Sequence, residues 1–243
     1  MSLKQQNALV IGGGTGIGLS IARHLAQAGA RVAIAGRRAE KIQEAVESDD
    51  SPGGLLAHPV DIADRDSVRQ LFDWAADQLG PIDILVNSAG VNIKTRTMAE
   101  MTPAQWDHVL AVNATGAYNC MYAVLPQMRE RGGGLIVNVS SIAGKRATPL
   151  GGVAYDASKF AMTALSTAVG IEAAEHGIRV TNIIPGEVET PLLDQRPNPV
   201  SAAHRARILQ PDDVAPLVVA IALLPPRAHV PELIIKPTSQ AYA

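Results

Sequence analysis

Short apolar segments alternate along the chain with longer segments that have helical periodicity. The apolar segments are rich in Val, Ile and Leu on both faces, which is typical of parallel strands covered by helices on both sides. They predict strands over residues 8–11, 31–35, 56–60, 82–86, 135–139, 179–184 and 233–235. The amphipathic segments predict helices over residues 18–28, 39–47, 64–78, 103–130, 155–176 and 212–223.

This alternation predicts an α/β fold, a doubly wound parallel sheet of about seven strands with helices on both faces. No repeat, low-complexity tract or linker divides residues 1–243, so we expect a single domain. The least patterned stretches are 92–101, 142–154 and 187–210, and each follows a predicted strand. Ligands of such sheets bind beyond the carboxyl ends of the strands, so these stretches are the expected substrate contacts, with the main loop at about 187–211.

Composition narrows the possible partners. The net charge is −2 and aromatic residues make up 3% of the chain, so neither a basic surface nor a stacking platform for nucleic acid is expected. No apolar run reaches the ~18 residues of a membrane span, and no secretory signal is visible, which predicts a cytoplasmic protein. The six histidines lack metal-ligand spacing, so no metal site is expected. The single cysteine, Cys120, excludes an internal disulfide and is interpreted as a buried core residue.

A glycine-rich turn follows the first predicted strand and leads into a helix. It reads Gly12-Gly13-Gly14-Thr15-Gly16-Ile17-Gly18. Glycines let the backbone approach a pyrophosphate closely, and a helix start offers free N–H groups to it. The G-x-G-x-x-G register fails at Ile17, and no Lys-Ser/Thr pair follows to make a P-loop. A dinucleotide cradle is the functional interpretation, and a turn without a ligand is the structural alternative.

The end of the second predicted strand indicates which dinucleotide would bind. An acidic residue at this point suits the ribose hydroxyls of NAD, whereas arginine suits the 2′-phosphate of NADP. The chain has Arg37 and Arg38 here and no acidic competitor. We therefore expect NADP(H) to be preferred over NAD(H), the alternative being a solvated arginine pair that opens a helix.

Tyr155 and Lys159 form a Y-x-x-x-K pair about one helical turn apart. A neighbouring ammonium stabilises a phenolate, which would make the tyrosine a usable general acid and base. The buried strand before them ends in Ser140 and Ser141, whose hydroxyls could donate to a developing oxyanion. A chance helical pair and a capping serine are the alternatives. A serine hydrolase is not supported, because no G-x-S-x-G elbow surrounds either serine.

Together these motifs resemble the short-chain dehydrogenase/reductase family, from Leu9 to about Ile235. The resemblance is carried by motifs in a fixed order: Gly12-x-x-x-Gly16-x-Gly18, Asp61, Asn87-Ser88-Ala89-Gly90, Asn113, Ser141, Tyr155-x-x-x-Lys159 and Pro185-Gly186. It implies a Rossmann-like fold and an oxidoreductase acting between a carbonyl and a secondary alcohol of a small molecule. It also implies a homodimer or homotetramer formed through the helices at 103–130 and 155–176.

The resemblance implies a role for each matched residue. Tyr155 would protonate the carbonyl oxygen in reduction, and Lys159 would lower its pKa and hold the nicotinamide ribose. Ser141 would polarise the carbonyl, and Asn113 would hold a water of the proton relay. The remaining matches would contact the cofactor: Gly12, Gly14, Thr15, Gly16, Ile17, Gly18, Asp61, Ile62, Asn87, Ala89, Gly90, Pro185, Gly186, Val188 and Thr190.

Some positions depart from the family pattern. Ile11 and Ser88 replace a common Thr and Asn, and the tail from Glu232 lacks the frequent acidic-Gly-Gly ending. The tail weakens a 3-oxoacyl-[acyl-carrier-protein] reductase as the alternative activity. A non-catalytic dinucleotide sensor is an alternative of another class, which the intact set of Asn113, Ser141, Tyr155 and Lys159 disfavours.

The substrate is less well indicated by the sequence. Basic residues near the expected substrate loops could select a carboxylate or simply form an exposed charged lid. They are Lys145, Arg146, Arg196, His204, Arg205 and Arg207. None of these loops contains an aromatic residue, so the pocket should be aliphatic and polar, with Tyr242 the one aromatic free to close it.

Overall fold

Seven parallel strands form one sheet through the centre of the fold. In the computed structural model, which describes residues 2–241, they are β1 Asn7–Ile11, β2 Arg31–Gly36, β3 Leu55–Pro59, β4 Ile84–Asn87, β5 Gly134–Val139, β6 Ile178–Pro185 and β7 Glu232–Ile235. Their order across the sheet is β3-β2-β1-β4-β5-β6-β7. Every neighbouring pair is parallel, so the predicted doubly wound sheet is confirmed.

Helices cover both faces of this sheet. Their bounds are α1 Gly16–Gln27, α2 Ala39–Glu47, α3 Arg65–Leu79, α4 Pro103–Leu110, α5 Gly116–Arg131, α6 Val153–Ala173, α7 Ala202–Arg205 and α8 Pro211–Ala222. On β1, Ala8 and Val10 belong to the core under one layer of helices, while Leu9 and Ile11 belong to the core under the other. Because side chains alternate between the two faces, a strand buried on both sides is apolar throughout, which is why these segments lack polar alternation.

The long helix predicted over 103–130 is wrong in one respect. A π-helix over Ala111–Thr115 separates α4 from α5. The chain stays helical through it, so hydrophobic periodicity does not reveal the wider turn; such segments are frequent at functional sites. The predicted start is confirmed, since Thr102 caps α4 and Gln105 returns the bond. A second departure is at Ile82, which lies before β4 because its N–H donates to the Gln127 side chain, at 2.9 Å.

The order of the strands reverses beside β1, whose neighbours are β2 and β4. The chain leaves β1 toward one side and returns on the other, so a crevice opens beyond the carboxyl ends of β1 and β4. Gly12 continues β1 into this crevice and Ser88 continues β4. Across residues 2–241, no helix is long and apolar enough to cross a membrane.

Candidate active site

Two adjoining clefts open at the carboxyl ends of the strands. The larger, about 580 Å³, runs from the turn after β1 to α6; the smaller, about 240 Å³, lies between β5, β6 and the substrate loop. Tyr155 lines both clefts. Most of the other residues expected from the sequence to contact the cofactor line the larger cleft: Gly12, Gly14, Thr15, Gly16, Ile17, Arg37, Arg38, Asp61, Ile62, Ala89, Gly90, Lys159 and Thr190.

The glycine turn is built so that side chains are excluded from it. Gly12 has φ +76°, its N–H donates to Ala35 O at 2.7 Å, and a Cβ there would come within 2.5 Å of Ala89 N. A Cβ on Gly18 would lie 2.3 Å from Gly12 O, so Gly18 holds α1 against the turn although it does not line the cleft. Thr15 is the N-cap of α1 without a side-chain capping bond, which leaves N–H groups free for phosphate. This bare backbone cradle fits the pyrophosphate of a dinucleotide.

The two arginines after β2 lie at the outer end of the larger cleft. Arg37 and Arg38 are exposed and make no ion pair with a described residue, so their charges are available to a ligand. Lys41 also lines this end but is paired with Glu44 at 2.6 Å. Asp61 and Ile62, at the carboxyl end of β3, line the cleft beside them.

Asn87 and Asn113 do not line either cleft and act through other groups. Asn87 is buried and donates to Asn138 Oδ1 at 2.7 Å, which joins the ends of β4 and β5. Asn113, in the π-helix, accepts from Val91 N–H at 2.8 Å and donates to Val91 O and Ser158 Oγ, both at 2.9 Å. Its side chain thus ties the segment after β4 to α6, and this contact depends on the π-helical turn.

Ser141 and Tyr155 meet at the junction of the two clefts. The Ser141 hydroxyl lies close enough to the Tyr155 phenol to lower the pKa of that phenol, and it accepts from Ala143 N–H at 3.1 Å. Ser140 is instead buried against Thr163, at 2.9 Å between the hydroxyls. The geometry therefore favours Ser141, as the sequence did, as the serine that faces a substrate.

Lys159 is only 3% exposed, and its Nζ donates to Val139 O at 2.9 Å. Burial lowers the pKa of this lysine to about 8. Its Nζ lies 5.7 Å from the centre of the Tyr155 ring. Burial raises the pKa of Tyr155, and the Ser141 hydroxyl and the Arg96 charge oppose the rise. That Lys159 lowers this pKa stays a prediction; its ammonium is held by the end of β5 and lies over the Tyr155 ring.

Comparison with known proteins assigns this arrangement to a family. The profile of the short chain dehydrogenase family matches residues 6–200. The chain belongs to the short-chain dehydrogenase/reductase family. Over 239 residues, 96% of this chain, it is 35% identical to the glycine betaine reductase of Emericella nidulans, of which it spans only 19%.

Solved structures also resemble this chain over almost its whole length. A metagenomic short-chain oxidoreductase in complex with NADP has a TM-score of 0.84 and 32% identity, covering 99% of this chain and 100% of that one. A 3-ketoacyl-(acyl-carrier-protein) reductase from Brucella melitensis in complex with NADH has a TM-score of 0.86 and 30% identity, covering 97% and 98%. These two structures share the fold of this chain and contain a nicotinamide dinucleotide, the kind of molecule that fits the larger cleft here.

The smaller cleft holds the residues expected around the nicotinamide. Pro185, Gly186 and Val188 line it, and Thr190 lines both clefts. The Thr190 methyl lies 3.0 Å from where a Gly16 Cβ would be, so the substrate loop packs directly on the glycine turn. Apart from Tyr155, the described lining contains no Phe, Tyr or Trp. Tyr242, the aromatic expected from the sequence to be free to close the pocket, lies outside the described residues.

The structure changes the interpretation of the basic residues. Among those suggested by the sequence, Arg196 pairs with Glu187, Arg205 with Glu189 and Asp194, and Lys145 with Glu232. His204 is hydrogen-bonded to Glu187 at 2.7 Å. Arg146 and Arg207 line neither cleft.

The sequence reasoning missed Arg96, which lines the smaller cleft near Tyr155. Only its place in the stretch 92–101 after a strand indicated it. Cys120 is fully buried, and burial raises its thiol pKa to about 12, so it is a core residue.

Proposed function

We propose that this short-chain dehydrogenase/reductase interconverts a carbonyl and a secondary alcohol on a small molecule, using NADP(H) and Tyr155 as acid and base. The observation that carries the proposal is the place of Tyr155, which lines both the dinucleotide-sized cleft and the smaller one and lies beside Ser141. A nicotinamide dinucleotide in the larger cleft would supply or accept the hydride. The protein supplies position and the proton.

In the direction of reduction, the carbonyl oxygen accepts hydrogen bonds from the Tyr155 phenol and the Ser141 hydroxyl. As hydride adds to the carbon, the C=O electron pair moves onto the oxygen, which takes the phenol proton and becomes the alcohol. The resulting phenolate must be reprotonated, and the buried Lys159, whose pKa is about 8, is a suitable donor near neutral pH. Asn113 keeps α6 and the end of β4 in register, so that these groups stay aligned. Oxidation is the same sequence reversed.

The preference for NADP(H) rests on Arg37 and Arg38, the unpaired charges at the outer end of the larger cleft. The decisive comparison is kcat/KM with NADPH and with NADH, for the wild type and for Arg37→Ser/Arg38→Ser. We expect the double variant to lose about 10- to 100-fold with NADPH, because two charge-assisted contacts to phosphate are removed, and to change little with NADH. A wild type that prefers NADH would overturn this part of the proposal.

The reaction itself is tested with a panel of small ketones, aldehydes, oxo acids and secondary alcohols, each with both dinucleotides. Turnover of at least one class that Tyr155→Phe abolishes, with dinucleotide binding retained, is the expected result. Tight dinucleotide binding without turnover of any compound would instead favour the sensor that lacks catalysis.

A 3-oxoacyl-[acyl-carrier-protein] reductase is the second candidate, because one of the similar solved structures bears the name of such a reductase. The test compares a 3-oxoacyl thioester on acyl-carrier protein with the same group on a short thiol. A large preference for the carrier-bound form would select this function over the one proposed first.

The partner expected from the resemblance is a second copy of the chain. Apolar side chains stand exposed on α5 and α6, namely Tyr118, Tyr122, Phe160 and Ile171. Ile171 is 76% exposed and Tyr122 is 69% exposed, which is unusual for residues of this size. We propose that these helices pair in a homodimer or homotetramer. Light scattering of the wild type and of Tyr122→Glu/Ile171→Glu tests it, and a monomeric wild type would refute it.

A further inference from the structure

We propose that Arg96 binds a carboxylate of the substrate, so that short hydroxy acids and oxo acids are the preferred class. The inference rests on the proposed function, because it concerns the substrate of that same site. Arg96 belongs to the segment after β4, which also brings Asn92 into the smaller cleft. It is a specificity-determining residue: its charge lowers the pKa of Tyr155, but it neither gives nor takes the proton.

Two backbone contacts fix Arg96 in front of the first turn of α6. Its carbonyl accepts from Val153 N–H at 3.1 Å, and its Nη1 donates to Gly151 O at 2.9 Å. Tyr155 follows in the same helical turn, and its ionisation responds to the Arg96 charge. A substrate whose carbonyl meets Tyr155 and Ser141 therefore has the guanidinium within the same small pocket.

The charge of Arg96 is not neutralised by a neighbouring carboxylate. Its two hydrogen-bond acceptors are carbonyl oxygens, Gly151 O and Gln195 O at 2.8 Å. The other arginine of the smaller cleft, Arg196, is paired with Glu187 at 2.8 Å. Glu187, the acidic residue of the lining, is occupied further by His204. An anion that enters this pocket thus meets Arg196, which is already paired with a carboxylate, and Arg96, which is not.

Asp156 is a carboxyl group whose charge acts on Arg96, but the two side chains do not form an ion pair. Asp156 is 6% exposed and accepts from Thr148 N–H at 2.7 Å. Burial raises its pKa. Burial likewise lowers the pKa of Arg96, which means that its charge is held with less water than usual. A charge in that condition gains more from an anionic ligand than a solvated one does.

The donor groups of Arg96 leave room for such a ligand. A guanidinium has five N–H donors, and the two contacts to carbonyl oxygens use one on each terminal nitrogen. The second hydrogen of each Nη remains, in the planar arrangement that matches the two oxygens of a carboxylate. Leu150, Leu192 and Leu193 give part of the lining an aliphatic surface, and Asn92, Thr148 and Gln240 add polar side chains to it. A cleft of about 240 Å³ walled in this way suits a short aliphatic acid.

The test compares an oxo acid with its neutral ester, using acetoacetate and methyl acetoacetate under identical conditions. We expect the wild type to favour the acid, and Arg96→Gln to lose about 10- to 100-fold in kcat/KM for acetoacetate, with the ester within about threefold. Glutamine keeps an N–H donor for the loop carbonyls and removes the charge. Arg207→Gln is the control, since it removes a loop arginine that lines neither cleft; it should affect acid and ester alike.

A binding measurement makes the outcome independent of turnover. Butanoate, which has no carbonyl to reduce, is titrated calorimetrically onto the wild type and Arg96→Gln, each saturated with whichever dinucleotide binds. Weaker binding to the variant by about tenfold or more supports the inference, even if no carbonyl compound is turned over and the proposed function fails.

Two results would overturn the inference while leaving the proposed function standing. One is equal loss of acid and ester in Arg96→Gln, which would make Arg96 only a clamp between Gly151 and Gln195. The other is equal binding of butanoate by the variant and the wild type. A wild type that reduces the ester but not the acid counts against it as well.

Discussion

The larger cleft, on the dinucleotide side, and the smaller cleft, on the substrate side, are two halves of one site and are held in place by different kinds of contact. On the dinucleotide side, backbone meets backbone at the ends of buried strands, as where Gly12 N–H donates to Ala35 O at 2.7 Å. On the substrate side, charged side chains hold loops together, as where Arg96 reaches Gln195 O, 99 residues away. The first arrangement is rigid and the same for any substrate. The second can vary by single side chains without disturbing the sheet, so specificity belongs there.

Tyr155 lies where the two halves meet, so changing it gives the largest effect expected. Tyr155→Phe removes the proton donor and keeps the ring, and turnover should fall by about 10²- to 10⁴-fold. Binding of the dinucleotide, measured by fluorescence titration, should stay within a few-fold. Turnover close to that of the wild type would show that another group transfers the proton.

The rigidity of the dinucleotide side is tested at Gly12. Gly12→Ala places a Cβ 2.5 Å from Ala89 N at a backbone φ of +76°, so it combines a clash with an unfavourable conformation. We expect a loss of about 2–5 kcal/mol in the free energy of unfolding, together with weaker dinucleotide binding. Urea denaturation measures the first and titration the second.

Gly132→Ala is the matched control for this prediction. Gly132 ends α5 with φ +67°, and no heavy atom lies within 4 Å of the position of its Cβ. Its substitution therefore isolates the cost of the conformation, about 1–2 kcal/mol, and should leave the dinucleotide site intact. If the two variants lose the same stability, close packing of the turn on Ala89 contributes nothing.

Substitution of Lys159, which lines the larger cleft, should have opposite effects on stability and on activity. Its burial lowers its pKa from 10.5 to about 8, so at neutral pH the fold carries the cost of a buried charge. We expect Lys159→Met to stabilise the dinucleotide-free protein by about 1–3 kcal/mol at pH 7 while turnover is lost. Below pH 8 the lysine is charged in both states and the cost is complete. Between pH 8 and 10.5 the folded state loses its proton first, the wild type gains stability, and the advantage of the variant shrinks.

Urea unfolding at about pH 7 and pH 9.5 measures that change for the wild type and Lys159→Met. Lys94→Met is the control, because Lys94 is exposed. It should leave stability nearly unchanged at both pH values. A Lys159→Met advantage that grows with pH would mean that burial does not lower the pKa of this lysine.

The dinucleotide side could largely be predicted from the sequence, whereas the substrate side could not. The glycines of the turn follow one another closely, and Tyr155 and Lys159 are four residues apart, so local spacing indicates both motifs. Strands buried on both faces appear as continuous apolar runs. The π-helix that orients Asn113 keeps helical periodicity and was missed. Arg96 could not be assigned, because its partners at Gly151 and Gln195 are 55 and 99 residues away. The ion pair of Arg196 could not be predicted either, because the sequence gives the charge of a residue but not its neighbours in space.

The smallest effect is expected at Glu187, in the substrate side of the cleft. Burial alone would raise the pKa of this carboxylate, but hydrogen bonds from His204 and Arg196 outweigh it and lower the pKa. Glu187→Gln should destabilise the protein by about 1 kcal/mol and change kcat/KM for a neutral substrate by only a few-fold. This stabilisation is present above pH 4.5, the ordinary value, and is lost as pH falls through the lowered pKa, where wild type and variant should converge.

Although Glu187→Gln is expected to change stability and activity only a little, it also tests how charge in the smaller cleft affects substrate selection. Without the carboxylate, Arg196 joins Arg96 as an unneutralised cation of the smaller cleft, so the ratio of kcat/KM for acetoacetate to that for its methyl ester should rise by a few-fold. Arg96→Gln should lower the same ratio, while both variants keep the sheet and the dinucleotide site unchanged. Opposite movements of one ratio would locate substrate selection in the charged loops. If Glu187→Gln instead changed dinucleotide affinity as much as this ratio, the two halves of the cleft would not be separable.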